Sequence, residues 1–119
     1  HNSENFLIFI PEVCKFTGDI VILFKENIYF NEIDENKLNE LSIIMKKLFT
    51  KIYEKDKNCP FNLYLHCHPL NEENDYKNKY NVHIHIVPRK FNFGGFELST
   101  GMYISSKKSE DIAKKLKFD

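Results

Sequence analysis

Val82-His83-Ile84-His85-Ile86-Val87, followed by Pro88, is the stretch of sequence that decides the fold. Alternate side chains of a β-strand share a face. The pattern therefore predicts a strand that buries its apolar residues on one face and points both histidines to the other. At the rise of a strand, His83 and His85 stand about 7 Å apart. The segment predicts one half-buried strand of a sheet that carries two imidazoles.

Four other segments are predicted strands. Residues 6–10 (FLIFI) end at a proline, and residues 19–24 (DIVILF) are rich in β-branched residues. The turn residues Thr17-Gly18-Asp19 lie between them, which indicates an antiparallel hairpin with a long connection. Residues 61–67 (FNLYLHC) are a third strand, and residues 98–104 are predicted to form a short additional strand.

Two segments are predicted helices. Asp34 is a candidate N-cap, and the residues after it form an apolar stripe at spacings of three and four: Leu38, Leu41, Ile44, Met45, Leu48 and Ile52. A shorter helix is predicted over residues 109–117, while the polar residues 70–79 are predicted to form a loop. We therefore expect an α+β fold, in which an antiparallel sheet is packed by one long helix and a short C-terminal helix. One domain over residues 1–119 accounts for the length.

Composition limits the classes of partner. The 17 basic and 17 acidic residues cancel, so no strong field attracts nucleic-acid phosphates or an anionic membrane. We expect neither as a partner. The odd count of cysteines, without a Cys-x-x-Cys pair, argues against a disulfide framework and indicates a reducing, cytoplasmic setting. The chain starts at His1 and enters a predicted strand almost at once, which indicates a fragment of a longer protein.

A third histidine extends the pair on the decisive strand. His66 ends the predicted strand before it, and antiparallel pairing of the two strands brings His66 near His83 and His85. Three imidazoles on one face begin a zinc or iron site. His68, or a carboxylate from elsewhere, is a candidate fourth ligand. The alternative interpretation is that these histidines only form the wet face of an amphipathic sheet.

Residues 89–97 (RKFNFGGFE) combine basic side chains, aromatic rings and a glycine pair. Cations meet phosphates, rings stack on a base, and glycines let backbone amides approach a ligand. The segment is therefore a candidate pocket for a phosphorylated ligand that carries a ring. A phenylalanine-rich turn that only packs into the core is the alternative.

These residues resemble a known superfamily. His-Ile-His-Ile-Val-Pro-Arg is similar to the histidine-triad pattern of alternating histidines and apolar residues followed by proline. Asn81 stands where the first histidine of that triad lies, and His83 aligns with its nucleophile position. Residues 95–104 (GFELSTGMYI) and 59–66 (CPFNLYLH) resemble segments of galactose-1-phosphate uridylyltransferases. The resemblance runs over essentially the whole chain and implies a histidine-triad-like fold.

The resemblance implies the C-terminal half of such a transferase. The family exchanges uridylyl between UDP-glucose and galactose 1-phosphate through a uridylyl-histidine intermediate. Its nucleophile lies in an N-terminal half, in a His-Pro-His segment that this chain lacks. The resemblance further implies that His66, His83 and His85 hold a structural zinc or iron, which a glutamate of the missing half completes. A nucleotide sugar, a hexose 1-phosphate and a homodimer of the full protein are the implied partners.

The same resemblance assigns the substrate contacts. Phe96 and Glu97 align with the Gly-aromatic-Glu segment that faces the nucleotide sugar, together with Gly95, Lys90 and Phe91. Two departures concern the substrate. The Lys-Phe pair stands one residue farther from Gly95 than in the family pattern, and a glutamine that contacts the sugar in some members has no counterpart.

Two alternatives stay open beside the supporting half. One is a stand-alone histidine-triad nucleotide hydrolase or transferase with His83 as the nucleophile, which would split one displacement into two. Asn81 in place of a triad histidine argues against it. The other is a noncatalytic, metal-stabilised binding or dimerisation module, which differs from the leading hypothesis in nucleotide-sugar binding.

Overall fold

The computed structural model describes residues 1–70, 80–90 and 92–119. Within them, two short strands precede a long helix, and two more strands and two short helices follow it. The strands are β1 (Phe6–Phe9), β2 (Ile20–Phe24), β3 (Phe61–His66) and β4 (His83–Pro88), and the helices are α1 (Glu35–Lys55), α2 (Gly95–Thr100) and α3 (Ser109–Leu116). A single 3-10 turn precedes α1. The predicted loop falls almost entirely on residues 71–79, which lie outside the described residues.

The four strands form one antiparallel sheet in the order β1-β2-β4-β3. β1 and β2 form the predicted hairpin, and Gly18 turns the chain into β2 with a positive φ of 80°. The strand with the two histidines is central, between β2 and the edge strand β3. The predicted α+β fold, an antiparallel sheet with one long helix and a short C-terminal helix, is confirmed.

The core lies on one face of this sheet. Val82, Ile84 and Ile86 are 0%, 6% and 0% exposed, as the alternation in the decisive stretch predicts. They pack in one cluster with the buried residues of β1, β2, α1 and α3. Removing this much apolar surface from water is the main stabilising term of the fold. The opposite face of β4 stays free for its polar side chains.

Helix α1 begins as predicted, because the Asp34 side chain accepts a hydrogen bond from the Lys37 backbone N–H at 2.8 Å. Four of the six stripe residues are buried: Leu41, Ile44, Leu48 and Ile52. Met45 packs partly buried against the core. The prediction was wrong for Leu38, which is 49% exposed. Leu38 lies in the first turn of α1, before Leu41, which is the first buried residue of the helix.

The additional strand predicted over residues 98–104 is wrong. Residues 95–100 form α2, and residues 101–104 have no regular structure. Local capping decides the outcome, since the Glu97 carboxylate accepts from the Gly94 N–H at 2.9 Å and the Thr100 hydroxyl donates to the Phe96 carbonyl at 2.7 Å. Gly101, with φ at 70°, ends the helix in the left-handed conformation. These bonds outweigh the β-propensity of the segment.

None of the described helices combines the length and the apolar character needed to cross a bilayer. The cysteines Cys14, Cys59 and Cys67 are all free thiols, as the odd count without a Cys-x-x-Cys pair predicts.

Candidate functional site

Three imidazoles meet on the face of the sheet that points away from the core. His66 on β3 lies directly opposite His83 on β4, and the two rings stack with centroids 4.8 Å apart. The His85 ring lies 5.3 Å from that of His66 and 5.2 Å from that of His83. One nitrogen of each ring lies within 4.8 Å of the others. Among the described residues, no other set of three or more His, Cys, Asp or Glu side chains comes this close together.

Hydrogen bonds fix which nitrogens are bare. Nδ1 of His83 lies 2.9 Å from the backbone carbonyl of Asn81, and Nδ1 of His85 lies 2.9 and 3.0 Å from the two carboxylate oxygens of Asp19. Both partners are acceptors, so each Nδ1 must carry the proton and donate. The lone pair of each neutral ring is then on Nε2, the atom free to bind a ligand.

The environment keeps the third ring in its metal-binding form. Burial, and after it the neighbouring charges of His83 and His85, lower the pKa of His66. A metal binds the neutral imidazole, so these influences favour the ligating state. Zinc holds nitrogen ligands at about 2.0–2.1 Å, which places them about 3.4 Å apart in a tetrahedron. The nitrogens of the cluster lie up to 4.8 Å apart, which is wider than a bound ion requires. Three imidazole nitrogens are a donor set that suits zinc or iron.

His68 does not join this cluster. It lies two residues beyond the end of β3, where the alternation of a strand no longer applies. Its ring is 3% exposed, donates from Nε2 to the Tyr80 carbonyl at 2.9 Å, and meets the Tyr29 ring edge-on at 4.7 Å. The idea that His68 supplies a fourth ligand is therefore not supported by its placement. The described residues add no carboxylate to the group either.

An aromatic cavity of about 450 Å³ lies next to the histidines. Tyr64 joins the two, because its ring stacks flat on His85, with centroids 4.8 Å apart and planes 8° apart, and also lines the cavity. Phe16, Phe93 and Tyr103 line it with mutual centroid distances of 5.5 to 6.3 Å. Burial, and after it the charge of Asp19, raise the pKa of Tyr64. The cavity offers several ring faces beside a candidate metal centre.

Cations complete the wall of this aromatic cavity. Lys15 Nζ lies 4.6 Å from the centroid of the Tyr103 ring and 5.4 Å from that of Phe16. Lys15 and Arg89 both line the cavity, and Glu97 is its acidic member. Rings that stack on a base, together with cations that meet phosphate, match the chemistry of a nucleotide.

The residues predicted to contact substrate fall in different places. Glu97 lines the aromatic cavity, although its carboxylate also accepts the Gly94 N–H. Gly95 and Phe96 open helix α2 beside the cavity without lining it, and the Phe96 side chain is half-exposed. Lys90 pairs with Asp56 and lines a small cleft beside Cys59 instead. Phe91 lies outside the described residues.

The sequence interpretation missed Asp19, Phe16 and Tyr103, as well as the role of Tyr64. Asp19 is 66 residues from its histidine partner, and the aromatic residues come from the loop before β2 and the segment after α2. Period-two spacing from His66 could have indicated Tyr64 on the same face. No local signal marks the other three, because only tertiary contacts bring them to the site.

No family model matches the chain. The curated ADP-glucose phosphorylase of Arabidopsis thaliana is 29% identical over 113 residues, which make up 94% of this chain and 32% of that protein. The chain therefore spans about a third of the length of this curated relative.

Solved structures agree with this relative. A GalT-like protein of Arabidopsis thaliana superimposes with a TM-score of 0.87 at 28% identity, over 98% of this chain and 39% of that chain. The crystal structure of an Arabidopsis thaliana ADP-glucose phosphorylase with bound ADP-glucose follows, with a TM-score of 0.85 at 29% identity, over 96% of this chain and 37% of that one.

More distant structures support the fold alone. A uridylyltransferase has a TM-score of 0.81 at 18% identity, over 98% of this chain and 38% of its own. A zinc-bound histidine-triad family protein of Mycobacterium smegmatis has a TM-score of 0.58 at 15% identity, over 98% and 78% of the two chains. The resemblance that the sequence indicates is confirmed by the GalT-like structure at 28% identity. The two distant structures confirm only the histidine-triad-like fold.

Proposed function

We propose that this chain is the domain that contributes the metal site and part of the substrate site of a nucleotide-sugar nucleotidyltransferase. The carrying observation is the cluster of His66, His83 and His85 directly beside the aromatic cavity. The GalT-like, phosphorylase and uridylyltransferase neighbours support nucleotidyl transfer as the reaction class. The specific proposal is a UDP-glucose–hexose-1-phosphate uridylyltransferase of galactose metabolism. ADP-glucose is the alternative nucleotide sugar.

The cavity supports a nucleotide sugar as the ligand. Phe16, Phe93 and Tyr103 present ring faces for a nucleobase, and base–aromatic stacking is worth about 1–3 kcal/mol per base. Arg89 and Lys15 are the cations placed for the diphosphate. The solved relative with bound ADP-glucose supports the same class of ligand. The predicted contacts of Lys90, Phe91, Gly95, Phe96 and Glu97 remain part of this proposal.

The metal is zinc or iron, held by the three histidines. Its chemistry in this half is structural, since it ties β3 to β4 and holds the wall of the cavity through Tyr64 and His85. A fourth ligand from the missing N-terminal half completes the site in the proposal. In the proposal, the nucleophile, the hexose 1-phosphate site and the homodimer contacts belong to the full protein. The partial coverage of the relatives supports a missing half. The free thiols support a cytoplasmic setting.

Nucleotide-sugar binding tests the proposal. We expect the metal-loaded chain to bind ADP-glucose or UDP-glucose, and Tyr103→Ala to weaken that binding about tenfold, because one stacking face is worth about 1–3 kcal/mol. Isothermal titration calorimetry measures both constants. Tyr53→Ala is the matched control, since Tyr53 is a similarly exposed tyrosine on α1 and does not line the cavity. Absent binding, or equal loss in both variants, would contradict the proposal and leave a noncatalytic module.

One observation favours a second candidate function. The hydrogen bond from Nδ1 of His83 to the Asn81 carbonyl leaves Nε2 as a free nucleophile. In a stand-alone transferase, Nε2 would attack the α-phosphorus, the bond to the bridging oxygen would break, and the sugar 1-phosphate would leave.

Intact-protein mass after incubation with UDP-glucose separates the two candidates. We expect no uridylyl adduct on the chain alone, because the nucleophile of the leading proposal lies in another segment. His83→Gln serves as the control for any adduct that forms. An adduct that appears in the unmodified chain and is lost in this variant would make the domain self-sufficient.

A further inference from the structure

We propose that Asp19 is a positioning residue that holds the His85 ring in the orientation and tautomer that leave Nε2 for the metal. The inference rests on the metal part of the proposed function and extends it to a residue outside the ligand set. Asp19 touches neither the metal nor the nucleotide sugar in this proposal. It acts on the site through His85 alone.

The sheet register places Asp19 beside His85. Val21 of β2 pairs with His85 of β4, and Asp19 stands two residues before Val21, on the same face. Such diagonal neighbours across two strands lie within reach of one another. The Asp19 backbone N–H donates to the Phe16 carbonyl at 3.1 Å, which holds the residue in the turn that enters β2. A backbone hydrogen bond therefore holds the position of Asp19 independently of the contacts of its side chain.

The contact is buried and uses both carboxylate oxygens. They lie 2.9 and 3.0 Å from Nδ1 of His85, and Asp19 is only 5% exposed. A carboxylate shielded from water is costly unless it is hydrogen-bonded. Both oxygens of the Asp19 carboxylate meet the Nδ1 atom of His85. The hydrogen bond to the imidazole therefore offsets the cost of burying this carboxylate.

Tyr64 restrains the same ring from a second direction. Its ring stacks flat on that of His85, with an interplanar angle of 8°. The carboxylate fixes the edge of the imidazole that carries Nδ1, and the tyrosine fixes its plane. Nε2, on the opposite edge, is then directed at His66 and His83. Outer groups of this kind set the tautomer of a metal-binding histidine and raise its basicity, and their loss typically costs about 10–100-fold in metal affinity.

A purely structural role makes a different prediction. If Asp19 only joined β2 to β4 through an ion pair, its loss would lower the stability of the metal-free protein and leave the metal constant alone. Asp19→Asn distinguishes the roles, because the amide has nearly the same shape but its NH2 group can face Nδ1, so the side chain no longer enforces the His85 tautomer. Asp56→Asn is the matched control, since Asp56 also forms an ion pair, with Lys90, away from the histidines.

The experiment measures Zn²⁺ affinity by competition with a chromophoric chelator, and the visible spectrum of the Co²⁺-loaded protein. We expect Asp19→Asn to weaken Zn²⁺ binding at least tenfold and to change the Co²⁺ spectrum, with the metal-free melting temperature nearly unchanged. Asp56→Asn should alter neither the Zn²⁺ constant nor the spectrum. A Zn²⁺ constant within about twofold of the unmodified protein, with the same Co²⁺ spectrum, overturns the inference.

If the Asp19→Asn variant does not fold, a measurement on the unmodified protein still tests the inference. Long-range ¹H–¹⁵N correlation spectra assign the tautomer of each histidine, and we expect His85 to carry its proton on Nδ1 in the metal-free and zinc-loaded forms. A proton on Nε2 overturns the inference. Protein that binds no metal overturns it together with the metal part of the proposed function. Loss of nucleotide-sugar binding alone removes only the proposed ligand, because every readout here is independent of that ligand.

Discussion

Removal of the metal is expected to lower the melting temperature of the protein by about 10 °C. A ligand that binds only the native state, present at a hundredfold its dissociation constant, stabilises that state by about 2.7 kcal/mol. For a chain of this length, one kcal/mol shifts the melting temperature by about 4 °C. In the proposed site, His66, His83 and His85 would join the edge strand β3 to β4 through such a ligand, so its loss would free an edge of the sheet.

Thermal melts with and without a strong chelator, combined with elemental analysis of the purified protein, measure this effect. The His83→Gln/His85→Gln double variant is the control, and its melting temperature should not respond to the chelator. A response that persists in this variant would assign the effect to another part of the chain. A melting curve that the chelator leaves unchanged, with no zinc or iron in the protein, would reject the metal site. The same samples identify which of the two metals is bound.

The decisive strand could be predicted because its signal is local. Alternation over residues 82–87 determines which side chains of β4 meet the core, and the same period places His83 and His85 together. The partnership with His66 required one further assumption, antiparallel pairing with the preceding strand. The register that places His66 directly opposite His83 satisfies that assumption. Local period and chain order were therefore enough for the histidine cluster.

Other parts of the site could not be predicted because they depend on tertiary contact. Asp19 reaches His85 across 66 residues of sequence, through a register that no spacing encodes. For residues 98–104, a local signal is present but predicts the wrong element. Their apolar and β-branched residues indicate a strand, whereas capping by Glu97 and the left-handed Gly101 stabilise a short helix and end it. Lys90 was grouped with its neighbours in sequence, but the end of β4 directs it to Asp56.

Leu48→Ala is expected to lower the free energy of unfolding by about 2–5 kcal/mol, the cost of deleting a fully buried leucine side chain. Leu48 is 1% exposed and packs in the central cluster between α1 and the sheet. Leu38→Ala is the matched control on the same helix and the same predicted stripe, but Leu38 is 49% exposed. We expect it to cost less than about 1 kcal/mol, because little apolar surface returns to water and alanine favours the helix.

Urea unfolding curves of both variants measure the difference. A large loss for Leu48→Ala with a small one for Leu38→Ala would mean that only the middle and end of α1 carry the core. Equal losses would contradict the exposure of Leu38, and would imply that Leu38 is covered by something other than the described residues. The comparison thus separates the part of the apolar stripe that builds the fold from the part that the sheet leaves uncovered.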